Sequence, residues 1–457
     1  VYEKDPAIYE RDALYPQSPV RVSEVTEMRG VDAVILGITP FQYNPVKKEL
    51  LVYRDLRVRV SWTGGTGHFG EDRLRSRYWE PVLEGNLLNY DQLPEVNLNR
   101  LPDNPSDEDN VEYLIIVPND PTFIAWADTI KQWRKLQGIS TGITTLTEIG
   151  GNSATAIENY INNAYNTWTT PPAAFLLLSD YQNTADTYGI TAPVWNSYCE
   201  SDNIYADINA DDLPDIAHAR ICAQNNAQLS LMVGKFLEYE RTPPMSASYY
   251  NNPLIACGFQ TERWFFICCE IIHGYLTNEQ NKTPTRQYAI YSGTPSQWST
   301  NQNTYMLLDY FGPTGLGYIP STPPTLNWNG NASGVNAALN AGAFMLLHRD
   351  HGSETGWGEP SYSVSNLSGL TNQGLLSFVL SINCLTGYYA RTSGPCFVEA
   401  FHRHNYGALG LIGASDVSYS FVNDTYIFGL FDSMYPDFDP GYPAPEPVGS
   451  PVLRPAF

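Results

Sequence analysis

The stretch AGAFMLLHRDHG (341–352) places an apolar run directly before a His-Gly pair. A second apolar run, GLLSFVLSIN (374–383), is followed at once by Cys384 and a turn that contains glycine. Short apolar runs bounded by glycine and polar residues predict buried strands of a parallel sheet. In open parallel sheets, ligands bind outside the carboxyl ends of the strands. If these strands are neighbours, His351 and Cys384 project into one crevice, although each residue alone is more often structural.

Strand and helix patterns alternate along the chain from residue 111 onward. Further apolar strand runs occur at 111–120, 139–149, 172–181 and 407–415, and helical patterns occur at 123–138, 152–168 and 229–240. This order predicts an α/β fold with a mostly parallel sheet and helices on both faces. The segment 277–340 is rich in Asn, Thr, Pro and Gly, which predicts long surface loops.

The N-terminal residues 1–97 are predicted to form a small β-rich domain. Here KKELLVYRDL (47–56) runs directly into RVRVSW (57–62), which alternates strictly between apolar and polar residues. The two segments are predicted to form either one long strand or a pair of strands broken near Asp55. A polar, acidic segment that contains prolines follows at 98–110 and is predicted to be a linker. Exposed linkers are natural sites of proteolysis, so the Arg100–Leu101 bond is a candidate cleavage site.

The α/β region is predicted to contain two subdomains, 111–243 and 244–436, of which the second carries both His351 and Cys384. A proline-rich tail at 437–457 follows them. Because the chain begins without methionine, we interpret it as a processed or trimmed product.

The composition limits the classes of function. Hydrophobic residues make up 43% of the 457 residues and charged residues 16%, which allows a large core. The net charge of −22 argues against nucleic acid or an anionic lipid surface as a partner. No apolar run is long enough to span a bilayer. Abundant tyrosine with little lysine indicates a secreted or cell-surface protein, in which an odd count of seven cysteines leaves at least one thiol free.

Three segments in the second half resemble the catalytic block of the gingipain-type cysteine peptidases, a family of the caspase-like clan. They are HGSETGWGEP (351–360), SINCLTGYY (381–389) and GPCFVEAF (394–401). LPDIAHARI (213–221) resembles the family's first catalytic subdomain, and FQYNPVKKELLVYRDLRVRV (41–60) resembles its N-terminal pro-domain. The resemblance implies a caspase-like, mostly parallel sheet with flanking helices in two subdomains, preceded by the pro-domain. It also implies that the catalytic domain continues past residue 457, so that the tail at 437–457 ends a truncated chain.

The resemblance also implies roles for individual residues. Cys384 would be the nucleophile, acting as a thiolate, and His351 would be the acid and base. The backbone N–H groups of Gly352 and Cys384 would form the oxyanion hole. The family orients its histidine with an acidic residue. Either Gln260 or Glu262 could take that place here, and Glu262 is favoured because a carboxylate stabilises an imidazolium ion, although a simple Cys-His dyad stays open.

The substrate pocket departs from the family pattern. Members that cleave after Arg or Lys carry an acidic residue in a loop that here contains Trp264 and Phe266, which argues against a basic preference from that loop. A second wall of the pocket is implied for the segment that contains Asp416 and Tyr419. An Asp416 side chain in the pocket would restore a basic preference, so the specificity stays open. Phe266, Asp416 and Tyr419 are the candidate pocket residues.

The acidic stretch ESDNIYADINADDLPD (200–215) is a candidate calcium site through Asp202, Asp207 and Asp211, since calcium prefers oxygen ligands and related peptidases bind structural calcium. A solvated acidic loop is the alternative interpretation. The chemistry itself requires no cofactor.

The sequence therefore predicts a secreted cysteine endopeptidase that is latent until its pro-domain is removed. Its expected partners are polypeptide substrates, its own pro-domain as an intramolecular inhibitor, and further copies of itself in a homo-oligomer. Two alternatives keep the same fold. One is a sorting enzyme that processes a single partner, and the other is a structural subunit of a surface assembly.

Overall fold

The computed structural model describes residues 4–64, 69–98, 108–181, 188–319, 323, 326–435 and 437–438. The chain divides into two compact units, Val1–Arg100 and Leu101–Phe457. The predicted cleavage bond Arg100–Leu101 lies outside the described residues, as do most of the predicted linker and tail. Among the residues that the structure describes, no helix has both the length and the apolar character needed to cross a membrane.

The first unit contains three short antiparallel strand pairs. They are β1 (Val20–Val22) with β4 (Leu36–Ile38), β2 (Thr26–Met28) with β3 (Val31–Ala33), and β5 (Phe41–Asn44) with β6 (Glu49–Val52). Two helices, α1 (Pro6–Tyr9) and α2 (Glu80–Asn86), and two 3-10 turns (Asp72–Leu74, Tyr90–Gln92) complete it. Leu74, Trp79 and Leu83 are buried in its core. The β-rich character predicted for this unit agrees with the structure.

The strand predicted over 57–62 is wrong. RVRVSW follows β6 without joining a sheet, and all six of its residues are exposed. Alternation stabilises a strand only when one of its faces is buried against a partner. Here neither face is covered, so the pattern has no packing to support it.

The second unit contains a four-stranded parallel sheet of β7 (Tyr113–Val117), β8 (Thr141–Thr145), β9 (Ala174–Leu177) and β12 (Ala217–Arg220), in the order β12-β9-β7-β8. Helices α3 (Pro121–Leu136), α5 (Ala154–Thr167) and α7 (Asn226–Arg241) are the longest helices around it. The Asp120 side chain caps α3 by accepting the Thr122 N–H, and Gly138 follows the helix end with φ 76°. Shorter elements of this half are α4 (Leu146–Ile149), β10 (Val194–Trp195), β11 (Cys199–Glu200) and α6 (Asn203–Ala206).

A second parallel sheet of five strands carries both candidate reactive residues. Its order is β14-β13-β15-β19-β20, with β13 (Leu254–Gln260), β14 (Thr285–Ser292), β15 (Met345–Arg349), β19 (Ser377–Ile382) and β20 (Ala408–Gly413). Between β15 and β19 lie a small antiparallel sheet, β16 (Gly352–Ser353), β17 (Gly356–Trp357) and β18 (Tyr362–Ser363), and a 3-10 helix, Val364–Gly369. The α-helices in this half of the chain, which contains the five-stranded sheet, are α8 (Ala247–Asn251), α9 (Phe265–Asn278), α10 (Thr304–Phe311), α11 (Ala332–Ala341), α12 (Phe397–Arg403) and α13 (Ser420–Met434). The structure thus confirms the predicted α/β class.

The segment predicted as long loops is only partly irregular. It contains strand β14 and helices α10 and α11, so that prediction is wrong in part. Helix α9 precedes this segment and is buried from Phe265 to Leu276. A helix that is buried on every side shows no amphipathic stripe, which removes the usual sequence signal for a helix.

Candidate active site

The register between β15 and β19 sets the two candidate reactive residues side by side. The last paired positions are Arg349 and Ile382. His351 and Cys384 each follow two residues later, so both lie at the carboxyl edge of neighbouring parallel strands. The backbones are also in contact at this point, since a Cβ added to Gly352 would meet the Cys384 carbonyl oxygen at 2.5 Å. A side chain at position 352 would therefore push the two segments apart.

His351 is held by an amide and two aromatic rings. Its Nε2 lies 2.6 Å from the Gln260 Oε1. Because an amide oxygen only accepts hydrogen bonds, Nε2 carries the proton and Nδ1 retains its lone pair. The ring of Phe265 contacts the imidazole edge to face at 5.3 Å, and the ring of Tyr291 lies 4.5 Å away. These contacts fix the plane of the imidazole.

The expectation that Glu262 orients the imidazole directly is corrected by this geometry. Gln260, the alternative residue, makes the direct contact. Glu262 lies one hydrogen bond further away, because its carboxylate accepts from the Gln260 amide group. The carboxylate thus acts on His351 through Gln260. Asp350 turns away from the site: it is 1% exposed and its Oδ2 accepts the Glu359 N–H at 2.6 Å.

The pKa of His351 is lowered from its usual value. Burial is the largest cause, followed by the positive charges of Arg263 and Arg349, while Glu262 opposes the shift. The imidazole is therefore neutral at neutral pH. A neutral imidazole with a free Nδ1 lone pair can accept a proton from a neighbouring acidic group.

Cys384 is half-buried, and its sulfur contacts the segment that follows β20. The Sγ donates to the Ser418 carbonyl oxygen at 3.2 Å, and the Ser418 hydroxyl lies 3.8 Å from the sulfur. The next backbone N–H, of Leu385, donates to the Asp416 carbonyl oxygen at 3.1 Å. The segment 416–419 therefore lies directly against the cysteine.

A buried histidine supports the turn that carries Cys384. The Asn383 amide donates to the His348 Nδ1 at 2.7 Å, and the His348 Nε2 donates to the Glu359 carbonyl oxygen at 3.1 Å. The His348 ring stacks on Trp357 at 4.1 Å. His348 therefore connects the cysteine turn to the antiparallel strands that begin at Gly352.

Acidification is expected to destabilise the fold through His348. Burial lowers its pKa to about 3, whereas an unfolded histidine titrates near its usual 6.5. The contribution of the neutral His348 to the free energy of unfolding is therefore complete above pH 6.5. It is lost as the pH falls toward 3, at roughly 1.4 kcal/mol per pH unit. Chemical denaturation at several pH values measures this. The free energy of unfolding of His348→Gln should fall less steeply with decreasing pH than that of the unmodified protein, by about that slope. Equal slopes for the two proteins would contradict this.

The two backbone N–H groups that were predicted for the oxyanion hole are those of Gly352 and Cys384. The Gly358 N–H donates to the His351 carbonyl oxygen at 2.8 Å, and Gly352 and Trp357 form the next pair. Hydrogen-bonded and non-bonded pairs alternate in antiparallel ladders, so the Gly352 N–H points away from β17. The Cys384 N–H donates to no backbone carbonyl in the described part of the chain.

The predicted pocket residues have different positions. Asp416 lies beside the cysteine turn, where its Oδ1 accepts the Val417 N–H at 2.6 Å. Tyr419 is 66% exposed on the same segment. Phe266 is only 2% exposed and stacks on Trp298 at 4.8 Å within the core. The assignment of Phe266 to the pocket is therefore wrong, because helix α9 turns it toward the sheet and away from the edge.

The predicted calcium ligands do not converge. Asp202 forms a two-pronged ion pair with Arg220, at 2.7 Å for each oxygen. Asp207 instead accepts the backbone N–H groups of Asp211 and Asp212. The carboxylates of Asp202 and Asp207 thus accept hydrogen bonds from one arginine and from the backbone of the loop, and calcium binding here stays a prediction.

Among the described residues, one group of potential metal ligands does lie close together. It consists of Asp180, Cys222 and Glu399. The Nη2 of Arg403 lies 2.8 Å from the Asp180 Oδ2 and 3.1 Å from the Glu399 Oε1. This guanidinium already supplies a positive charge to the group, so the cluster is an ion-pair network that joins β9 to α12.

Comparison with known families decides the relationship. The model of Peptidase family C25 matches residues 106–453, and that of Propeptide_C25 matches residues 1–93. The chain belongs to peptidase family C25. Gingipain R2 of Porphyromonas gingivalis is 21% identical over 402 residues, which are 86% of this chain and 48% of that protein. Lys-gingipain W83 of Porphyromonas gingivalis is 26% identical over 416 residues, which are 90% of this chain and 21% of that protein.

Solved structures show the same fold. This C25 chain resembles the crystal structure of the Arg-specific cysteine proteinase gingipain R, with a TM-score of 0.55, 19% identity, and coverage of 71% of this chain and 67% of that one. It resembles a complex of the Porphyromonas gingivalis RgpB pro- and mature domains, with a TM-score of 0.55, 18% identity, and coverage of 69% and 66%. The C25 chain spans about half or less of the length of the curated relatives it matches.

Several residues around the C25 site were not predicted from the sequence. His348, Asn383, Ser418 and Tyr291 support the histidine or the cysteine through the contacts described above. His348 alone had a visible signal, since it ends an apolar strand run where a polar residue needs a partner. The others belong to turns and loops, whose contacts depend on the tertiary fold.

Proposed function

We propose that this C25 chain is a cysteine endopeptidase in which Cys384 is the nucleophile and His351 is the general acid and base. One observation carries the proposal: the β15–β19 register puts both residues at adjacent strand ends, with the Gly352 backbone against Cys384. Family membership supports the same reaction. A thiol and an imidazole at such a site form the usual pair of nucleophile and base for acyl transfer.

The proposed reaction has two steps. His351 takes the thiol proton, and the Cys384 sulfur attacks the carbonyl carbon of the substrate to form a carbon–sulfur bond. The resulting oxyanion is stabilised by the N–H groups of Gly352 and Cys384. His351 then gives its proton to the departing amine as the carbon–nitrogen bond breaks. In the second step, water deprotonated by His351 attacks the thioester, releasing the carboxylic acid and the thiol.

Gln260 is proposed to hold the imidazole in its reactive orientation. Its Oε1 accepts the Nε2 proton, which leaves Nδ1 to exchange protons with the thiol. When the imidazolium forms, Glu262 supplies negative charge through the Gln260 amide. The carboxylate of Glu262 is thus a positioning and electrostatic group in this proposal.

Latency and location complete the proposal. The propeptide model matches residues 1–93, and the solved complex of RgpB pro- and mature domains shows that such a pair can associate in that protein. We infer that the propeptide of this chain inhibits the peptidase until it is cleaved off, and that the substrates are polypeptides. The tyrosine-rich, lysine-poor composition supports a location outside the cell.

Labelling with a peptidyl acyloxymethyl ketone tests this function. After the linker at 98–110 has been cleaved, the reagent should modify Cys384 in preference to the six other cysteines, because only the thiol paired with a base reacts quickly with a bound peptide analogue. His351→Ala should slow the labelling about 10²-fold to 10⁴-fold. Peptide mapping by mass spectrometry identifies the modified residue. Equal labelling of Cys222, which is also half-buried, would count against the proposal.

A further inference from the structure

A register shift at the end of β14 turns a tyrosine toward the reactive histidine. Gln260 of β13 pairs with Ser292, whereas the residue before it pairs with Ile290. Tyr291 is therefore an extra residue at the carboxyl edge of the sheet, and such a bulge changes the direction of a side chain. The Tyr291 ring lies 4.5 Å from the His351 ring, and the residue is 47% exposed. An exposed aromatic side chain thus borders the imidazole.

The cysteine side of the site carries exposed apolar side chains as well. Val417 and Tyr419 stand on either side of Ser418 and are 47% and 66% exposed. The Ser418 carbonyl oxygen accepts from the Cys384 thiol at 3.2 Å. The Tyr198 hydroxyl donates to the Val417 carbonyl oxygen at 2.6 Å, which ties this segment to the loop between β10 and β11. Both apolar residues are therefore held one position from the contact with the nucleophile.

A pair of aromatic rings connects the cysteine side to the histidine side. Phe421, in the first turn of α13, is exposed and packs edge to face on Trp264 at 4.9 Å. Trp264 directly precedes Phe265, whose ring contacts the His351 imidazole at 5.3 Å. The exposed apolar residues around the reactive pair form a group that we call the apolar patch: Tyr291, Val417, Tyr419 and Phe421.

The position of the apolar patch indicates a binding surface. Single exposed apolar residues are ordinary on a protein surface, whereas a group of them marks a site of interaction. Substrate sites are lined mainly by apolar and aromatic side chains. Two acidic groups at this edge already accept hydrogen bonds from the chain: Asp416 accepts the Val417 N–H, and Glu262 accepts from the Gln260 amide. Apolar area is thus what the edge offers to a substrate side chain.

We propose that the apolar patch binds an aliphatic or aromatic side chain of the substrate at the residue before the scissile bond. This inference rests on the proposed function and specifies its substrate class. Cys384 attacks the carbonyl carbon of that residue, so its side chain lies closest to the segment 417–421, which contacts the sulfur. The competing group is Asp416, whose carboxylate would favour Arg or Lys at the same position.

Peptide binding tests the inference without requiring turnover. Full-length Cys384→Ala protein, cleaved in the 98–110 linker by limited proteolysis, is titrated with peptides that differ only in the residue before the scissile bond. Norleucine is compared with lysine, because the two share one aliphatic chain and lysine adds an amino group. We expect the norleucine peptide to bind at least about 10-fold more tightly, since burying the chain is favourable and burying the ammonium group is not. Propeptide that stays bound would weaken both peptides equally and leave their ratio unchanged.

The decisive variant combines Val417→Ser with Tyr419→Ser in the same background. Both side chains are exposed, so the fold should be retained, and the norleucine-over-lysine preference should fall to less than about 3-fold. Tyr419→Phe keeps the ring and should keep the preference. Leu136→Ser is the control, because it removes an exposed apolar side chain at the end of α3, beside the other sheet, and should also keep it.

Two results of the binding experiment would overturn the inference. One is equal binding of the norleucine and lysine peptides. The other is tighter binding of the lysine peptide, and Asp416→Asn would then show whether the Asp416 carboxylate is responsible by removing that preference.

Turnover is measured separately on the cleaved chain with Cys384 intact, using the same peptides. Hydrolysis that favours norleucine, leucine or phenylalanine peptides supports both proposals. Hydrolysis that favours arginine or lysine peptides overturns the role of the apolar patch and leaves the peptidase proposal standing. If no peptide is hydrolysed, the peptidase proposal fails, while the binding ratio of norleucine to lysine still decides what the apolar patch binds.

Discussion

Replacing Cys384 with alanine is expected to reduce peptide hydrolysis by about 10⁴-fold or more, because the covalent route through the thioester is lost. The remaining groups still bind the substrate and polarise its carbonyl, so KM should change much less than kcat. Initial rates with a fluorogenic peptide measure the effect on protein that has been cleaved in the 98–110 linker. Cys384 is only half-buried, and alanine is smaller than cysteine and introduces no clash. We therefore expect the fold to be retained.

The control for this experiment is Cys222→Ala. Cys222 has a similar half-buried environment, but it lies after β12 in the other sheet. Its replacement should leave the rate within about 3-fold of the original, since it contacts none of the reacting groups. Peptide hydrolysis that survives in Cys384→Ala, or an equal loss of hydrolysis in Cys222→Ala, would show that the reaction does not pass through the proposed thiol.

Replacing Asp424 with alanine is expected to destabilise the second unit by about 3–5 kcal/mol. The Arg349 Nε lies 2.7 Å from the Asp424 Oδ1, and the two side chains are 1% and 2% exposed. Removing the carboxylate leaves the Arg349 guanidinium charged and buried, packed over the Phe265 ring at 4.1 Å. The free energy of unfolding from urea titration measures the loss.

A surface pair provides the comparison for this prediction. Arg391→Met breaks the ion pair with Glu354, whose side chain is 42% exposed, and should cost about 1 kcal/mol or less. The double variant Arg349→Met with Asp424→Leu removes both buried charges and should recover most of the loss. If Asp424→Ala costs no more than Arg391→Met, the buried pair does not have the energetic importance that we assign to it.

The position of each reactive residue at a strand end could be predicted, because a strand end depends on short-range patterns. Two apolar runs followed by His-Gly and Cys identify two strand ends, and parallel strands bring such ends to one edge. The register of β15 and β19 then fixes the two residues at equal distances beyond Arg349 and Ile382. The sequence left open whether the two strands are neighbours, and the β15–β19 pairing shows that they are.

The aromatic residues near the site could not be assigned in this way. Phe265 and Phe266 are consecutive, yet Phe265 contacts His351 while Phe266 packs on Trp298. Successive residues on a helix differ in direction by about 100°. When a helix is buried on every side, as α9 is from Phe265 to Leu276, the sequence does not show which residues face the sheet.

The choice between Gln260 and Glu262 failed for a related reason. Chemical reasoning favoured the carboxylate, but Gln260 is the last residue of β13 and Glu262 lies in the turn beyond it. A residue at the end of a strand has its direction set by the sheet. The direction of a turn residue depends on the local backbone, which composition and spacing do not determine.

The distance between the sulfur and the imidazole is set by the hydrogen-bond ladder of β15 and β19 and not by the chain that runs between them. Insertions or deletions at the exposed positions Gln373 and Gly374 would leave that ladder intact. Homologues can therefore differ widely in the length of this connection while retaining the same reaction geometry. Evolution can modify the rim of the cleft independently of the reactive pair.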